Sequence, residues 1–168
     1  MSREIKFRAW LKDEKVMVDV EQVDFYNNTI AYIFDNYAEV EQEWIDNDIK
    51  NVVLMQYIGR CAENEDHIFN NDVVSVVVQN HVMGFYRETE YIGVVKYDED
   101  ECVYYLDLIK EPIEGGETIP DEIDGIPIIT ESDEETKRFY FSEYIVQEDI
   151  KILGNIYENP ELLEVNND

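Results

Sequence analysis

The sequence is short of the residues that mark secreted, membrane-spanning and disulfide-rich proteins. It has two cysteines in 168 residues, too few for a disulfide framework, so both thiols are expected to be reduced. No apolar run approaches the length of about 18 residues that a membrane-spanning helix needs, and the N-terminal residues lack the apolar segment of a signal peptide. The seven glycines form no phosphate-cradling cluster. We therefore expect a cytoplasmic protein that does not enter membranes.

Basic residues are scarce, and their distribution is uneven. The chain has 13 lysines and arginines against 40 aspartates and glutamates, a net charge of −27. Five of these cations lie in the first 15 residues, namely Arg3, Lys6, Arg8, Lys12 and Lys15. Because the rest of the surface repels phosphate, direct binding to DNA or RNA is not expected. The acidity has three interpretations: solubility alone, imitation of nucleic acid, or diffuse binding of basic partners and divalent cations.

No arrangement of residues predicts catalysis or metal binding. The two histidines, His67 and His81, are 14 residues apart, and with Cys61 they match no zinc-binding spacing. A nucleophilic pair of Cys61 and His67 lacks a recognisable orienting group or oxyanion hole. None of the four serines lies in a G-x-S-x-G motif, and close carboxylate pairs arise by chance among 40 acidic residues. The sequence therefore predicts no catalytic residue, no metal site and no cofactor.

Aromatic and β-branched residues in short runs predict a mainly β fold. Residues 5–10 alternate in character, which predicts a first strand with Ile5 and Phe7 facing the core and the cations on the open face. The segment 37–50 combines helical spacing with crowded acidic residues, so we expect a short helix or an irregular loop there. The other predicted strands are 23–26, 29–34, 52–57, 72–78, 91–97, 103–108, 139–146 and 150–156.

Turn residues indicate how these strands are joined. Asn27 and Asn28 suit a two-residue hairpin turn because asparagine tolerates positive φ. Asn71 can adopt the same geometry where the chain leads into a valine-rich strand, as in many small barrels of the SH3 type. Residues 98–101 form an acidic hairpin tip that lacks the glycine and distal glutamate of a calcium loop. Residues 111–135 are rich in proline, glycine and acid, and are expected to form a long excursion.

The chain is expected to form a single unit with three parts. Residues 1–60 form an N-terminal β region, residues 66–156 close into an SH3-like barrel, and residues 157–168 form a terminal turn and tail. Asn159 as N-cap and Pro160 at the first helical position predict this turn, which folds two leucines back onto the barrel.

Five blocks of the chain together resemble the YopX family of bacteriophage and prophage proteins. They are R-E-I-K-F-R-A-W at 3–10, L-M-Q-Y-I-G at 54–59, I-F-N-N-D-V-V at 68–74, G-V-V-K-Y at 93–97 and I-L-G-N-I-Y-E-N-P-E-L-L at 152–163. The chain departs from the family in having Asn71 in place of the usual glycine and an acidic stretch at 60–66. The resemblance implies a mainly β fold with an SH3-like barrel and homo-oligomeric assembly. It implies no activity and no catalytic residues.

Two functions are weighed here, beside a third class, an enzyme with an unrecognised site. The first is a phage-encoded, non-enzymatic assembly or regulatory protein that works as a homo-oligomer in the cytoplasm of the bacterial host. The second is an acidic decoy that occupies the nucleic-acid site of a host protein, which the charge favours. The expected partners are further copies of the chain and a host or phage protein. We also expect the N-terminal cations to dock on acidic surface, either of the same chain or of a neighbouring subunit.

Overall fold

Fourteen strands, all paired antiparallel, make up most of the described residues. The computed structural model describes residues 4–34, 43–82, 84–117, 122–123, 126–127, 137–141 and 145–164. Three short 3₁₀ helices, Ile49–Asn51, Gln147–Asp149 and Pro160–Leu163, interrupt the strands. No helix among the described residues is long and apolar enough to cross a membrane. The mainly β class predicted from the sequence is confirmed.

The first six strands form one sheet. They are β1 (Phe7–Leu11), β2 (Val16–Asp24), β3 (Thr29–Phe34), β4 (Glu43–Asp48), β5 (Val52–Cys61) and β6 (His67–Phe69). Their spatial order is β4-β3-β2-β1-β5-β6, so β1 has a strand paired on each side. The predicted first strand is therefore an inner strand of the sheet.

The remaining strands form a second sheet and a small hairpin. They are β7 (Asp72–Val82), β8 (Phe85–Asp98), β9 (Val103–Leu108), β10 (Ile113–Gly116), β11 (Glu122–Ile123), β12 (Ile126–Pro127), β13 (Arg138–Tyr140) and β14 (Ile150–Asn155). The order of the second sheet is β13-β9-β8-β7-β14, with β10 paired to β8. Among the described residues, β11 and β12 pair only with each other. Within the predicted excursion, β10 is thus part of the sheet, and much of the rest lies outside the described residues.

The SH3-like barrel predicted over residues 66–156 is not confirmed. Among the described residues the second sheet stays open, because its end strands β13 and β14 do not pair with each other. In addition, β6 lies within the predicted range but pairs with β5 of the first sheet. The second sheet is nevertheless curled, since Phe139 of β13 and Val78 of β7 line one cleft.

Two local predictions are wrong in detail. The segment 37–50, predicted as a short helix or an irregular loop, contains the strand at residues 43–48. These residues pair with β3 along its whole length. Residues 37–42 lie outside the described residues. The turn between β2 and β3 has four residues rather than two. The Asp24 carboxylate holds this turn by accepting hydrogen bonds from the backbone N–H groups of Tyr26 and Asn27, at 2.9 and 3.0 Å.

The buried residues of β1 lie further along the strand than predicted. Ile5 precedes the strand and is 69% exposed, so its predicted place in the core is wrong. Phe7 is half-buried, and the fully buried positions are Ala9 and Leu11. These two residues pack with Val18 and other apolar side chains of the first sheet. The alternation was correctly identified, but it does not indicate where the strand starts.

Near the end of the described residues, Asn155 and Asn159 are joined by a hydrogen bond. The sequence predicts that Asn159 caps the final 3₁₀ helix, but its side chain makes no capping hydrogen bond. Its Oδ1 instead accepts a hydrogen bond from the backbone N–H of Asn155, at 3.3 Å. Gly154 makes room for this contact, because a Cβ there would lie 2.3 Å from Asn159 Oδ1. Leu162 then packs against the buried Val73 of the second sheet, while Leu163 is exposed.

Candidate interaction surface

An ion pair between Arg8 and Asp72 joins the two sheets. Arg8 lies on β1 and Asp72 begins β7, and their side chains are 14% and 1% exposed. Arg8 Nη2 donates to Asp72 Oδ1, and its guanidinium lies over the Phe69 ring, 4.7 Å from the centroid. Asp72 Oδ2 accepts a second hydrogen bond from the Phe69 backbone N–H, at 2.7 Å. Docking of an N-terminal cation on an acidic group of its own chain is thus confirmed for Arg8, whose predicted place on the open face is wrong.

Burial and backbone hydrogen bonds move the pKa of several carboxyl groups in opposite directions. Burial raises the pKa of Asp72, and the Arg8 guanidinium opposes this shift without reversing it. A backbone N–H three residues further along the chain lowers the pKa of Asp24 and likewise that of Asp98. The carboxyl group of Asp72 therefore affects stability in a different pH range from those of Asp24 and Asp98.

Thermal stability is expected to rise as the pH is lowered through the raised pKa of Asp72, and to fall again as the pH passes through the lowered pKa values of Asp24 and Asp98. The raised pKa of Asp72 adds stability that is complete below the ordinary value of 3.8 and is lost as the pH rises through the raised value. Protonation also reduces the self-repulsion of a chain at −27. The lowered pKa values of Asp24 and Asp98 add stability that is lost as the pH falls through them.

Unfolding midpoints measured by circular dichroism at constant ionic strength test this pH dependence. The substitution Asp72→Asn removes the titrating group, so this variant should show a shallower rise toward acid pH. A wild-type midpoint that climbs steadily as the pH rises above 3.8 would contradict the expectation.

The three residues considered for chemistry are only partly brought together. Cys61 and His67 are cross-strand partners on β5 and β6, while His81 lies far along β7. Cys61 Sγ is 3.4 Å from Tyr57 Oη, and Lys6 Nζ donates to His67 Nε2 at 2.8 Å. In the part of the chain that the structure describes, no group of three or more His, Cys, Asp or Glu residues could hold a metal ion. That the protein binds no metal stays a prediction.

A cleft of about 650 Å³ lies beside the ion pair between the sheets. Its charged lining residues are two cations, three carboxylates and one imidazole, namely Lys6, Arg8, Asp19, Glu21, Asp66 and His67. Because these charges largely offset one another, and Lys6 and Arg8 already contact groups of this chain, the cleft does not favour a ligand of either sign.

Strands β7 and β8 of the second sheet form a long hairpin, and β7 has no charged residue after Asp72. Residues 73–86 contain no Asp, Glu, Lys or Arg, although 32% of the chain is charged. The distal part of this hairpin, residues 77–91, is called the arm. Its strands pair from Val77 opposite Glu90 to Val82 opposite Phe85. An uncharged strand of this length is where a strongly acidic chain can approach another acidic molecule with least repulsion.

The arm has one open edge. β14 pairs with β7 only as far as Val76, and within the described residues no strand pairs with β7 residues 77–82 on that side. The other edge of the arm is covered, since β10 pairs with residues 87–90 of β8. Gln79, Asn80 and His81 are exposed along the open edge. Unpaired backbone N–H and C=O groups of such an edge are a template for another strand.

The charged residues on the second strand of the arm have partners within the chain. Arg87 forms an ion pair with Glu114 of β10. Glu90 accepts a hydrogen bond from Ser75 Oγ at 2.6 Å, and Glu88 accepts one from Tyr86 Oη at 2.7 Å. The arm therefore directs its carboxylates to local partners, and its open edge displays backbone and uncharged side chains.

Apart from the uncharged arm, an apolar surface lies at the tip of the hairpin between β2 and β3. Phe25 and Tyr26 are 76% and 93% exposed there, on the turn that Asp24 holds. Neither this tip nor the arm was identified as a site from the sequence. The signal that could have found the arm is the run of 14 uncharged residues in a chain with 40 acidic ones.

The comparisons with known proteins concern the family and the fold. The sequence model of a family described as YopX protein matches residues 6–164. No curated protein matches the chain. Among solved structures, the crystal structure of protein EF1440 from Enterococcus faecalis is similar at 22% sequence identity and a TM-score of 0.46, covering 97% of this chain and 100% of that one.

Proposed function

The chain belongs to the YopX family, and from this premise we propose that it is a phage-encoded, non-enzymatic protein that works by assembling with copies of itself in the cytoplasm of its bacterial host. The observation that carries the proposal is the open, uncharged edge of the arm. Copies at −27 repel each other, so a contact between them is favoured only where carboxylates are absent or neutralised. The open edge of the arm has no carboxylates, and the carboxylates of its second strand accept hydrogen bonds within the chain.

A binding role rather than a reaction is supported by the state of the one candidate pair. Cys61 and His67 are adjacent in register, yet each lies within hydrogen-bonding distance of another side chain. A nucleophile and its base have to contact each other or the substrate. The side chains available for recognition, by contrast, are exposed in the arm and on the β2–β3 hairpin tip.

Light scattering coupled to size exclusion is expected to give a mass that is a multiple of 19.9 kDa. The assembled fraction should increase as salt is raised from about 0.05 M to about 0.5 M, because screening weakens repulsion between like-charged copies. A single species of 19.9 kDa at every salt concentration, with protein at hundreds of micromolar, would overturn the proposal.

The net charge of −27 favours one alternative, the acidic decoy for a host nucleic-acid-binding protein. Its contacts with a basic protein would be long-range and exposed, so binding would weaken as salt is raised. Self-assembly has the opposite salt dependence. The same salt series, run with and without a basic nucleic-acid-binding protein, therefore separates the two functions.

A further inference from the structure

The open edge of the arm has the same apolar and polar pattern in both directions around Asn80. The residues 78–82 are Val-Gln-Asn-His-Val, an apolar residue at each end of three polar ones. If two copies pair antiparallel with Asn80 opposite Asn80, position 78 of each copy lies opposite position 82 of the other, and position 79 lies opposite position 81. Antiparallel strands that match themselves in this way satisfy the requirement of a two-fold axis, which brings the same surface of both subunits together.

We propose that two copies of the chain pair antiparallel through the open β7 edges of their arms, with a two-fold axis between the two Asn80 residues. This inference rests on the proposed function and names its interface. The pairing satisfies backbone groups of the edge that lack a strand partner among the described residues. It also joins the two second sheets into one continuous sheet, the mode of recognition known as strand addition.

The structure limits the register of this pairing. At the base of the edge, Asp149 lines the same cleft as Val77 and Val78, so the 3₁₀ helix Gln147–Asp149 lies beside the start of the open segment. At the other end, the strand stops at Val82 before the turn with Gly84. A register centred on Asn80 ends before this turn, and at the base of the edge it brings Val78 and Gln79 of each copy to the cleft of about 510 Å³.

The lack of charge along the open edge favours a second copy of this acidic chain as the partner that pairs with it. The nearest charged residues along the chain, Asp72 and Arg87, are both paired within the chain, and Asp149 lies beside the base of the edge. None of the three lies in the paired segment 78–82. Two copies therefore meet through the part of the chain where their repulsion is smallest, and no basic partner is needed to neutralise the contact.

Substitutions at Asn80 test the axis directly, because a residue on a two-fold axis faces its own copy. Asn80→Asp or Asn80→Lys places two like charges together, so each variant alone should weaken the dimer about tenfold or more. An equimolar mixture pairs aspartate with lysine and should restore it, as native mass spectrometry of the mixed dimer would show. Gln22→Asp and Gln22→Lys, at an exposed position of β2, are the matched controls and should assemble like the wild type.

A cysteine at the axis gives a second readout. In a Cys102→Ser background, which removes the exposed native thiol, Asn80→Cys should form a disulfide-linked dimer under mild oxidation. If the wild type assembles but both Asn80 charge variants assemble equally well, the interface is overturned and the proposed function stands. If each variant is monomeric and mixing restores nothing, the two-fold axis at Asn80 is overturned. A wild type that is monomeric throughout overturns both.

Discussion

Replacing Asp72 by alanine is expected to destabilise the fold by about 3–5 kcal/mol, the range for breaking a buried ion pair from one side. The substitution leaves the Arg8 guanidinium, which is 14% exposed, without its counter-charge. Arg8 Nε is already buried without a hydrogen-bond partner among the described residues, so the side chain depends on Asp72 for compensation. The Phe69 backbone N–H would also lose its acceptor.

Denaturant unfolding of the wild type and of three variants measures this effect. Asp72→Asn retains an acceptor oxygen and is uncharged like the protonated acid that burial favours, so it should cost much less than Asp72→Ala. Removing both charges with Arg8→Met and Asp72→Asn should recover part of the loss, because no unpaired charge is left buried. Lys50→Ala breaks an exposed ion pair with Asp48 and should change little. A cost below about 1 kcal/mol for Asp72→Ala would mean that water or movement relieves the charge.

Deleting residues 1–15 is expected to abolish cooperative folding altogether. These residues include β1, which pairs with β2 on one side and β5 on the other along its whole length. Deletion separates the two neighbouring strands, removes the buried Leu11, and takes Arg8 away from Asp72. Removing an inner strand leaves its neighbours with unpaired backbone groups inside the fold, which costs far more than losing an exposed tail.

Circular dichroism melts and the dispersion of amide proton resonances report whether the truncated chain folds. Deletion of residues 1–5 is the control, because it ends before β1 and removes the exposed Ile5. This shorter chain should unfold cooperatively near the wild-type midpoint. If the chain lacking 1–15 also does so, the assignment of β1 as an inner strand is wrong.

Local sequence signals predicted the strands that carry continuous apolar runs. The runs at 52–57 and 72–78 lie within β5 and β7, each of which has a strand paired on both sides. The segment 43–48 was misjudged because its apolar spacing suits a helix, whereas its structure is decided by pairing with β3. Pairing with another strand, here β3, overrides the local preference of the segment for a helix. A sequence window confined to the segment does not show that pairing.

The candidate site depends on distances along the chain that the sequence does not encode locally. The cation Arg8 was recognised, but its partner Asp72 is one of 40 acidic residues and lies 64 positions away. The uncharged run at 73–86 is visible in the sequence, but its open edge is not. That edge exists because β14 stops opposite Val76, and only the folded sheet shows where a partner strand ends.

The valine-rich β7 also poses a problem during synthesis. Its partner β14 is translated about 74 residues after the segment it covers, since Ile150 pairs with Val76. At about 5–20 residues per second, a ribosome leaves this strand uncovered on that side for several seconds. Uncharged runs of high β-propensity without proline are prone to aggregate. The acidic residues that follow keep the nascent chain in solution during this interval, so the strong negative charge protects the protein before any folded surface exists.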